Sequence, residues 1–551
     1  MMTSINSWIK TRKKDFVALF FFMVVAGGCV LYGSTLPFSV NGDTYVSLLA
    51  NKASADISYP DRAMILRNDF KPYVYPSVLQ FFNERFSPKD YTFIFLFFLV
   101  VATGFAGYVA LRMLGFSRTV SFAVSLIALP PRSSIGSEIW GVFVPGDTLG
   151  RTFGLPVLWL LAAWYIKRKH EKKPLWPVFA VLGLTTYVHP VSIIFFGGIL
   201  FLIMLYQIVT EKNYTEGLKD FAISVAMFCT GASLLLQRIF ITTSNIASKH
   251  TGFASVSNTE YAQAVYSRIR WDFPPASTVW LRVVAIISFM FVAGAIWAYF
   301  QIREQKPSKE NSLYKEIYRF AVPLIAFSSV LSIALPSLQI WLMREHGWPL
   351  ILQQGSRMFK YYYLGVFLLF AVALSVFIKK YSPKKYIIAL IVVIGMISSS
   401  FGLEWFEFLI GYKNYCDGFI PVALQKKTFA KADTKMYPEI CKEMKDAGIK
   451  KTDLVLSGDF PLRYFCETKL LATLEEGSSY LMAGRSEMVW WYRTFWQQDA
   501  AFNKSQDLID FAKKQKAGYA LVTVGSPLEQ EFKEKGMIKE KGTVYSVVKF
   551  Q

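Results

Sequence analysis

Asn41-Gly42-Asp43 opens the first long polar stretch of the chain, just beyond a hydrophobic run from Phe16 to Leu36. A carboxylate at that boundary of water and lipid can take a proton from a hydroxyl group, the work of a general base. A structural alternative stands beside it: Asp is a preferred N-cap, and a helix starting at Thr44 would use Asp43 in that way. A second group is basic. Arg357 and Lys360 are three residues apart, so a helix carries both on one face, and such a pair suits a doubly charged phosphate. Their alternative role is to anchor a span by reaching toward headgroups. Arg344 and His189, the latter preceding Pro190, are further candidate phosphate contacts. Glu138 and Asp147 are candidates for acceptor binding or for a second acid, with loop solvation as the alternative.

These groups need a scaffold, and composition defines its kind. Apolar residues make up 53% of the 551 residues and aromatic residues 17%, gathered in long runs. Phe16 to Leu36 and Tyr91 to Leu111 each supply about twenty predominantly apolar residues, enough to cross a hydrocarbon core of ~30 Å. The first run is too long for a cleaved signal peptide, and no small-residue cleavage site closes it. The net charge of +21 sits in short basic loops between apolar runs, a pattern that orients membrane spans rather than one that binds nucleic acid. Lys10 to Lys14, Lys167 to Lys173, and Lys379 to Lys385 mark the cytoplasmic side.

Alternation of runs and loops predicts about eleven transmembrane helices in residues 1–403. They fall at about 16–36, 91–111, 119–131, 152–166, two within 175–209 divided at Tyr187-Val188-His189-Pro190, then about 220–240, 278–301, 319–341, 358–378 and 386–403. The third and fifth are short. The loops 37–90, 132–150, 241–277 and 342–357 are then outside, and all the candidate residues above lie on or near that face.

Residues 404–551 form a second region, a small soluble α/β domain exported by the last span. Asp453 to Ser457, Gly518 to Val524 and Thr543 to Phe550 read as strands, and Gln506 to Lys516 and Pro527 to Lys535 as helices. Gly525-Ser526-Pro527 joins a strand to a helix, a place for an anion or an ordinary turn. Trp490, Trp491, Tyr492 and Trp496 suit sugar stacking or docking onto the membrane domain. Among the cysteines, Cys29 and Cys229 read as small buried apolar residues. One pair among Cys416, Cys441 and Cys466 is open to oxidation outside the cytoplasm. There is no Walker sequence, G-x-G-x-x-G or H-E-x-x-H.

The early acid at Asn41-Gly42-Asp43, the short outer turns and the C-terminal α/β domain together resemble the GT-C superfamily of integral membrane glycosyltransferases. That resemblance implies a GT-C-like transmembrane fold with a sugar donor carried on a polyprenyl phosphate. Asp43 would act as base, and basic residues would hold the lipid phosphate. The chain has Asp43-Thr44 where many relatives carry two adjacent acids, and the outer loops hold no D-x-D. A divalent metal is therefore open but without support in the sequence, and no other cofactor is expected. The implied reaction transfers a sugar to a glycan, lipid or protein hydroxyl with inversion, on the outer face of a bacterial cytoplasmic membrane. An envelope-polysaccharide polymerase or ligase is a second expectation, and a transporter or lipid flippase a third. Transporters tend to carry ionisable groups at mid-membrane.

Overall fold

Long apolar runs broken by basic or proline-containing turns give helices through the first part of the chain. The computed structural model describes residues 15–24, 26–27, 85, 88–128, 154–188, 190–237, 257–269, 293–304, 308–346, 358–384, 387–388, 436–459, 462, 466, 468–473 and 485–550. The helices are α1 (Asp15–Val24), α2 (Pro88–Met113), α3 (Arg118–Ile127), α4 (Leu155–His170), α5 (Trp176–Thr185), α6 (Pro190–Glu211), α7 (Tyr214–Gly231), α8 (Asn258–Ile269), α9 (293–304), α10 (Lys309–His346) and α11 (Phe359–Tyr381). Pro156, Pro177 and Pro190 stand in the first turns of α4, α5 and α6, where a missing N–H costs nothing. Ser117 caps α3 by accepting from the N–H of Val120 at 3.3 Å.

Two of the described helices, Ile193–Glu211 and Tyr361–Tyr381, are long and apolar enough to cross a membrane. The expected count of eleven is therefore not reached among the described residues. Helices α3 and α5 have ten residues each, about 15 Å at 1.5 Å per residue, half of a hydrocarbon core. The predicted eleventh span at 386–403 lies outside the described residues apart from 387–388. The ninth is longer than expected. Helix α10 runs 38 residues because Glu310, Lys315, Glu316 and Arg319 are helix formers, and Arg319 bonds Glu316 at 2.8 Å one turn back.

The segments assigned to the cytoplasm meet at one end of the bundle. Asp15 accepts from the Tyr108 hydroxyl at 2.6 Å and from Arg118 Nε at 3.1 Å. Lys169 pairs with Glu211 at 2.8 Å, and Arg319 approaches the same carboxylate at 3.9 Å. Asp220 accepts the Leu175 N–H at 2.9 Å. Lys380 donates to Gln301 at 2.5 Å, and Lys379 pairs with Glu310. At the opposite end of α5 and α7, the Leu234 N–H donates to the Tyr187 hydroxyl at 3.1 Å. Between these ends lies a core of apolar side chains that includes Trp159, Ile203, Leu324 and Leu368. Apolar side chains also face outward, among them Phe16, Phe20, Leu234 and Val330. Apolar exposure of this extent marks a surface covered by something other than water. Cys229, expected to be buried, is instead on this outer surface, because α7 packs through its glycine face.

That face is tight. A Cβ added at Gly231 would sit 2.7 Å from the Ala180 carbonyl oxygen and 2.9 Å from the Leu184 nitrogen. Backbone atoms cannot turn aside as a flexible side chain can. Gly231→Ala is expected to force α5 and α7 apart and to lower stability by about 1–3 kcal/mol. Thermal melting in detergent measures this, and an unchanged transition would mean the two helices are not held at this spacing.

The C-terminal domain is built on a five-stranded sheet, β1 (Leu454–Leu456), β2 (Lys469–Leu470), β3 (Tyr519–Thr523), β4 (Ile538–Lys541) and β5 (Tyr545–Lys549), in the order β2-β1-β3-β5-β4. The first three are parallel and the last two antiparallel, with Tyr519 opposite Lys549 and Thr523 opposite Tyr545. Strand alternation sorts the core into two layers. Val455, Leu521 and Val547 face α12 (Tyr437–Asp446). Leu456, Ala520, Val522 and Val548 face α14 (Ser505–Gln515) and α15 (Pro527–Glu534). The remaining helix, α13 (Arg485–Ala501), leads into α14. A disulfide joins Cys441 on α12 to Cys466.

Candidate functional site

The acid and base candidates Asp43, Glu138, Asp147, His189 and Arg357 lie outside the described residues. Arg344 and Lys360 fall within α10 and α11, with their side chains outside the description. Backbone register still constrains the last two. Helices α10 and α11 are antiparallel: Lys379 pairs with Glu310, the Tyr314 hydroxyl is 2.7 Å from Ser375 Oγ, and Gly365 abuts Ala321 and Ile325. Continuing that register puts Lys360 level with Val330. Arg344 is fourteen residues further along α10, about 20 Å at 1.5 Å per residue. The two basic residues share one end of the helix pair but sit at separate depths.

On that side of the chain, the loop between α7 and α9 contributes α8, which packs on α10 and on α13 of the C-terminal domain. Tyr261, Ala264 and Val265 of α8 bury themselves against Met488, Val489, Trp491 and Phe495, with Trp490, Tyr492 and Trp496 alongside. Arg493 then clamps Glu260 through two nitrogens at 2.5 and 2.7 Å, the fork-like pairing that suits guanidinium and carboxylate. The aromatic cluster is therefore a docking element between two regions of the chain. Sugar stacking, the other expectation for these rings, has no open ring face at the buried Trp491, whose Nε1 donates to the Thr473 carbonyl at 2.9 Å.

The turn at Gly525-Ser526-Pro527 is an ordinary βα turn closed by its own acid. Gly525 takes φ +78°, a region that disfavours a side chain. Ser526 Oγ accepts from the Glu529 N–H at 3.1 Å, and Glu529 reaches back to the Gly525 N–H at 2.5 Å, a reciprocal cap. An anion site at this helix start is thus filled from within. Burial raises the Glu529 carboxyl, but hydrogen bonds from Ser546 and Gly525 outweigh it and hold the group below its ordinary value. The sign follows from linkage. A depressed carboxylate contributes stability that is complete above its unfolded value near 4.5 and is lost as pH falls through the lower folded value. Glu529→Gln is expected to reduce the fall in melting temperature between about pH 5 and about pH 3. A variant with the wild-type acid profile would show that the cap carries no linked proton.

A second polar group was not anticipated. Asp459 follows β1, is buried, and accepts from the Tyr437 and Tyr545 hydroxyls at 2.8 Å each. Burial, then the Asp459 carboxylate, pushes the Tyr545 hydroxyl well above its ordinary value, so it remains a donor. The only signal in the sequence was Ser457-Gly458-Asp459 at the end of a predicted strand. Among the described residues, no group of three or more His, Cys, Asp or Glu side chains is placed to hold a metal ion. Compared with models of known protein families and with curated proteins, the chain gives no match.

Proposed function

We propose that the protein is an integral membrane glycosyltransferase that moves a sugar from a polyprenyl phosphate to an acceptor hydroxyl on the outer face of the membrane. The observation that carries this reading is the polarity of the bundle. Basic helix ends gather at one end, while the helix from the 241–277 loop docks a disulfide-bonded α/β domain. The positive-inside rule makes the basic end cytoplasmic, and a stable disulfide favours an oxidising compartment for the other. In this reading Asn41-Gly42-Asp43, which follows the first apolar run in sequence, faces the same side as the docked domain. In this reading about eleven spans hold the site, Asp43 removes the acceptor proton as the hydroxyl attacks the anomeric carbon, and Arg357 with Lys360 stabilises the departing phosphate.

A polymerase or ligase acting on larger lipid-linked glycans would share this geometry and differs in substrate alone. A transporter has less support, because the described charges on the membrane helices lie toward helix ends.

The direct test is transfer from a polyprenyl-phosphate sugar by protein reconstituted in liposomes. Arg357→Ala is expected to weaken donor use with the fold intact, raising KM for the lipid donor about tenfold or more for a lost charge-assisted phosphate contact. Wild-type kinetics would remove Arg357 from the site. Orientation is tested separately with impermeant thiol reagents on cysteines introduced at Lys172 and Gln551, with the Cys441–Cys466 disulfide kept and the other native cysteines replaced. Labelling of the C-terminal position from the cytoplasmic side alone would overturn the outer placement of the domain.

A further inference from the structure

The turn between α4 and α5 carries basic groups that sugar transfer on the opposite side does not use. Residues 167–173 read Lys-Arg-Lys-His-Glu-Lys-Lys. Two of the lysines are neutralised, Lys169 by Glu211 at 2.8 Å and Lys173 by Glu171 at 2.7 Å. Lys167, Arg168 and Lys172 form no ion pair among the described residues. Helix capping does not account for them. Basic side chains can satisfy the carbonyls that end a helix, but here the backbone does so. The N–H groups of Glu171, Lys172 and Lys173 donate to the carbonyls of Lys167, Lys169 and Arg168 at 2.9, 3.0 and 2.8 Å. Lys172 is exposed and takes φ +54°, where glycine or asparagine is usual. A lysine held there costs free energy.

Arg168 is pinned in place. Its Nε donates to the Pro174 carbonyl at 2.5 Å, and its guanidinium carbon lies 5.8 Å from the centre of the Trp164 ring. These contacts fix the plane of the group. They leave its Nη donors with no partner among the described residues. A guanidinium held by Nε with its fork free suits two oxygens of a phosphate. The surroundings say what that phosphate is attached to. Trp164 is half-buried and Trp176 is exposed, rings of the kind that sit at headgroup level. Leading away from the turn, Leu160 and Val157 on α4 are half-buried, and Val181 and Leu184 on α5 are exposed. A ligand with a phosphate at one end and apolar chains at the other matches both parts. The only acid of the turn, Glu171, is already taken by Lys173. The charge left over is positive, which opposes the cation of a zwitterionic headgroup and favours an anionic one.

We propose that the α4–α5 turn binds the headgroup of an anionic phospholipid, with Arg168 on the phosphate and Lys172 beside it. The site rests on this end of the bundle lying at a membrane surface, and not on sugar transfer. Delipidated full-length protein in a neutral detergent is titrated with phosphatidylglycerol, phosphatidylcholine or glycerol 3-phosphate, and melting is followed. Phosphatidylglycerol should raise the melting temperature saturably. Phosphatidylcholine should raise it far less, and glycerol 3-phosphate should leave it unchanged. Arg168→Lys keeps the charge that orients the span and loses the fork and the stacking. Its half-saturating phosphatidylglycerol concentration should rise about tenfold. Lys172→Gly relieves the positive φ, so it should melt higher than wild type without lipid and still respond more weakly to phosphatidylglycerol. Lys516→Gly relieves φ +56° in the C-terminal domain and should keep the wild-type lipid response. If Arg168→Lys fails to fold, Lys172→Gly decides. An equal response to phosphatidylcholine, an equal response to glycerol 3-phosphate, an undiminished response in either folded turn variant, or an equal loss in Lys516→Gly would each overturn the proposal. A saturable phosphatidylglycerol response in a protein that never transfers sugar would leave the lipid site standing and remove the transfer reading. Sugar transfer without that response would do the reverse.

Discussion

Asp43→Asn is expected to lower sugar transfer by about 10²–10⁴-fold while leaving the chain folded and able to bind donor. That range is the usual contribution of a positioned base, equivalent to about 3–5 kcal/mol of transition-state stabilisation. The substitution separates two roles because it preserves shape and removes only proton acceptance. Asn caps a helix about as well as Asp, so a capping Asp43 predicts a folded protein with full turnover. A base predicts a folded protein with little. The transfer assay reads turnover at saturating donor, and a melting curve verifies folding. Full turnover in Asp43→Asn would return Asp43 to a structural role and leave Glu138 or Asp147 as the acid to test.

The elements that the sequence disclosed are those with a strong period or an uninterrupted run. Helices α2, α6 and α11 follow apolar stretches whose length is their signal, and the break at Tyr187 to Pro190 was legible because proline cannot continue the preceding helix. Strands β1, β3 and β5 were legible as short, strongly apolar runs bounded by turn residues. Strand β4 was not, because Ile538-Lys539-Glu540-Lys541 is an edge strand and charge there guards an open edge rather than filling a core. Strand β2 is two residues long and has no period to detect. Helix α12 carries a signal of its own in the sequence: Pro438 in its first turn, with Tyr437, Ile440 and Met444 at helical spacing.

The candidate site was legible only as residue types at a boundary. Asp43, Arg357 and His189 stand out by position relative to apolar runs, and that position gives side of membrane but not mutual distance. Register shows the weakness for Arg344, which loop assignment grouped with Lys360 and which helix geometry places about 20 Å further along α10. Asp459 was invisible for a different reason. Its partners Tyr437 and Tyr545 come to it through sheet order and the packing of α12, and neither is a local property of the sequence.

Removal of the Cys441–Cys466 disulfide is expected to be the most damaging single change in the C-terminal domain. The bonded residues are 25 apart in sequence, and closing a loop of that length restricts the unfolded chain by about 3–4 kcal/mol. The other ties of α12 are weaker. The Thr543 N–H donates to Glu443 at 2.8 Å, and Tyr437 donates to Asp459; each such bond contributes about 1 kcal/mol net. The disulfide also fixes Cys466 in the connection that leaves Asp459 and enters β2. The double variant Cys441→Ser/Cys466→Ser should therefore melt roughly 10 °C lower or more, with faster hydrogen exchange in α12 and at 457–459. Reductant should shift the wild-type protein in the same direction and leave the double variant unchanged. Thiol alkylation of protein isolated without reductant supplies the independent arm. Cys441 and Cys466 should resist the reagent until reduced, as expected for a domain in an oxidising compartment. If both react at once, the domain has folded among reduced thiols, and its placement on the outer face fails together with the stability effect.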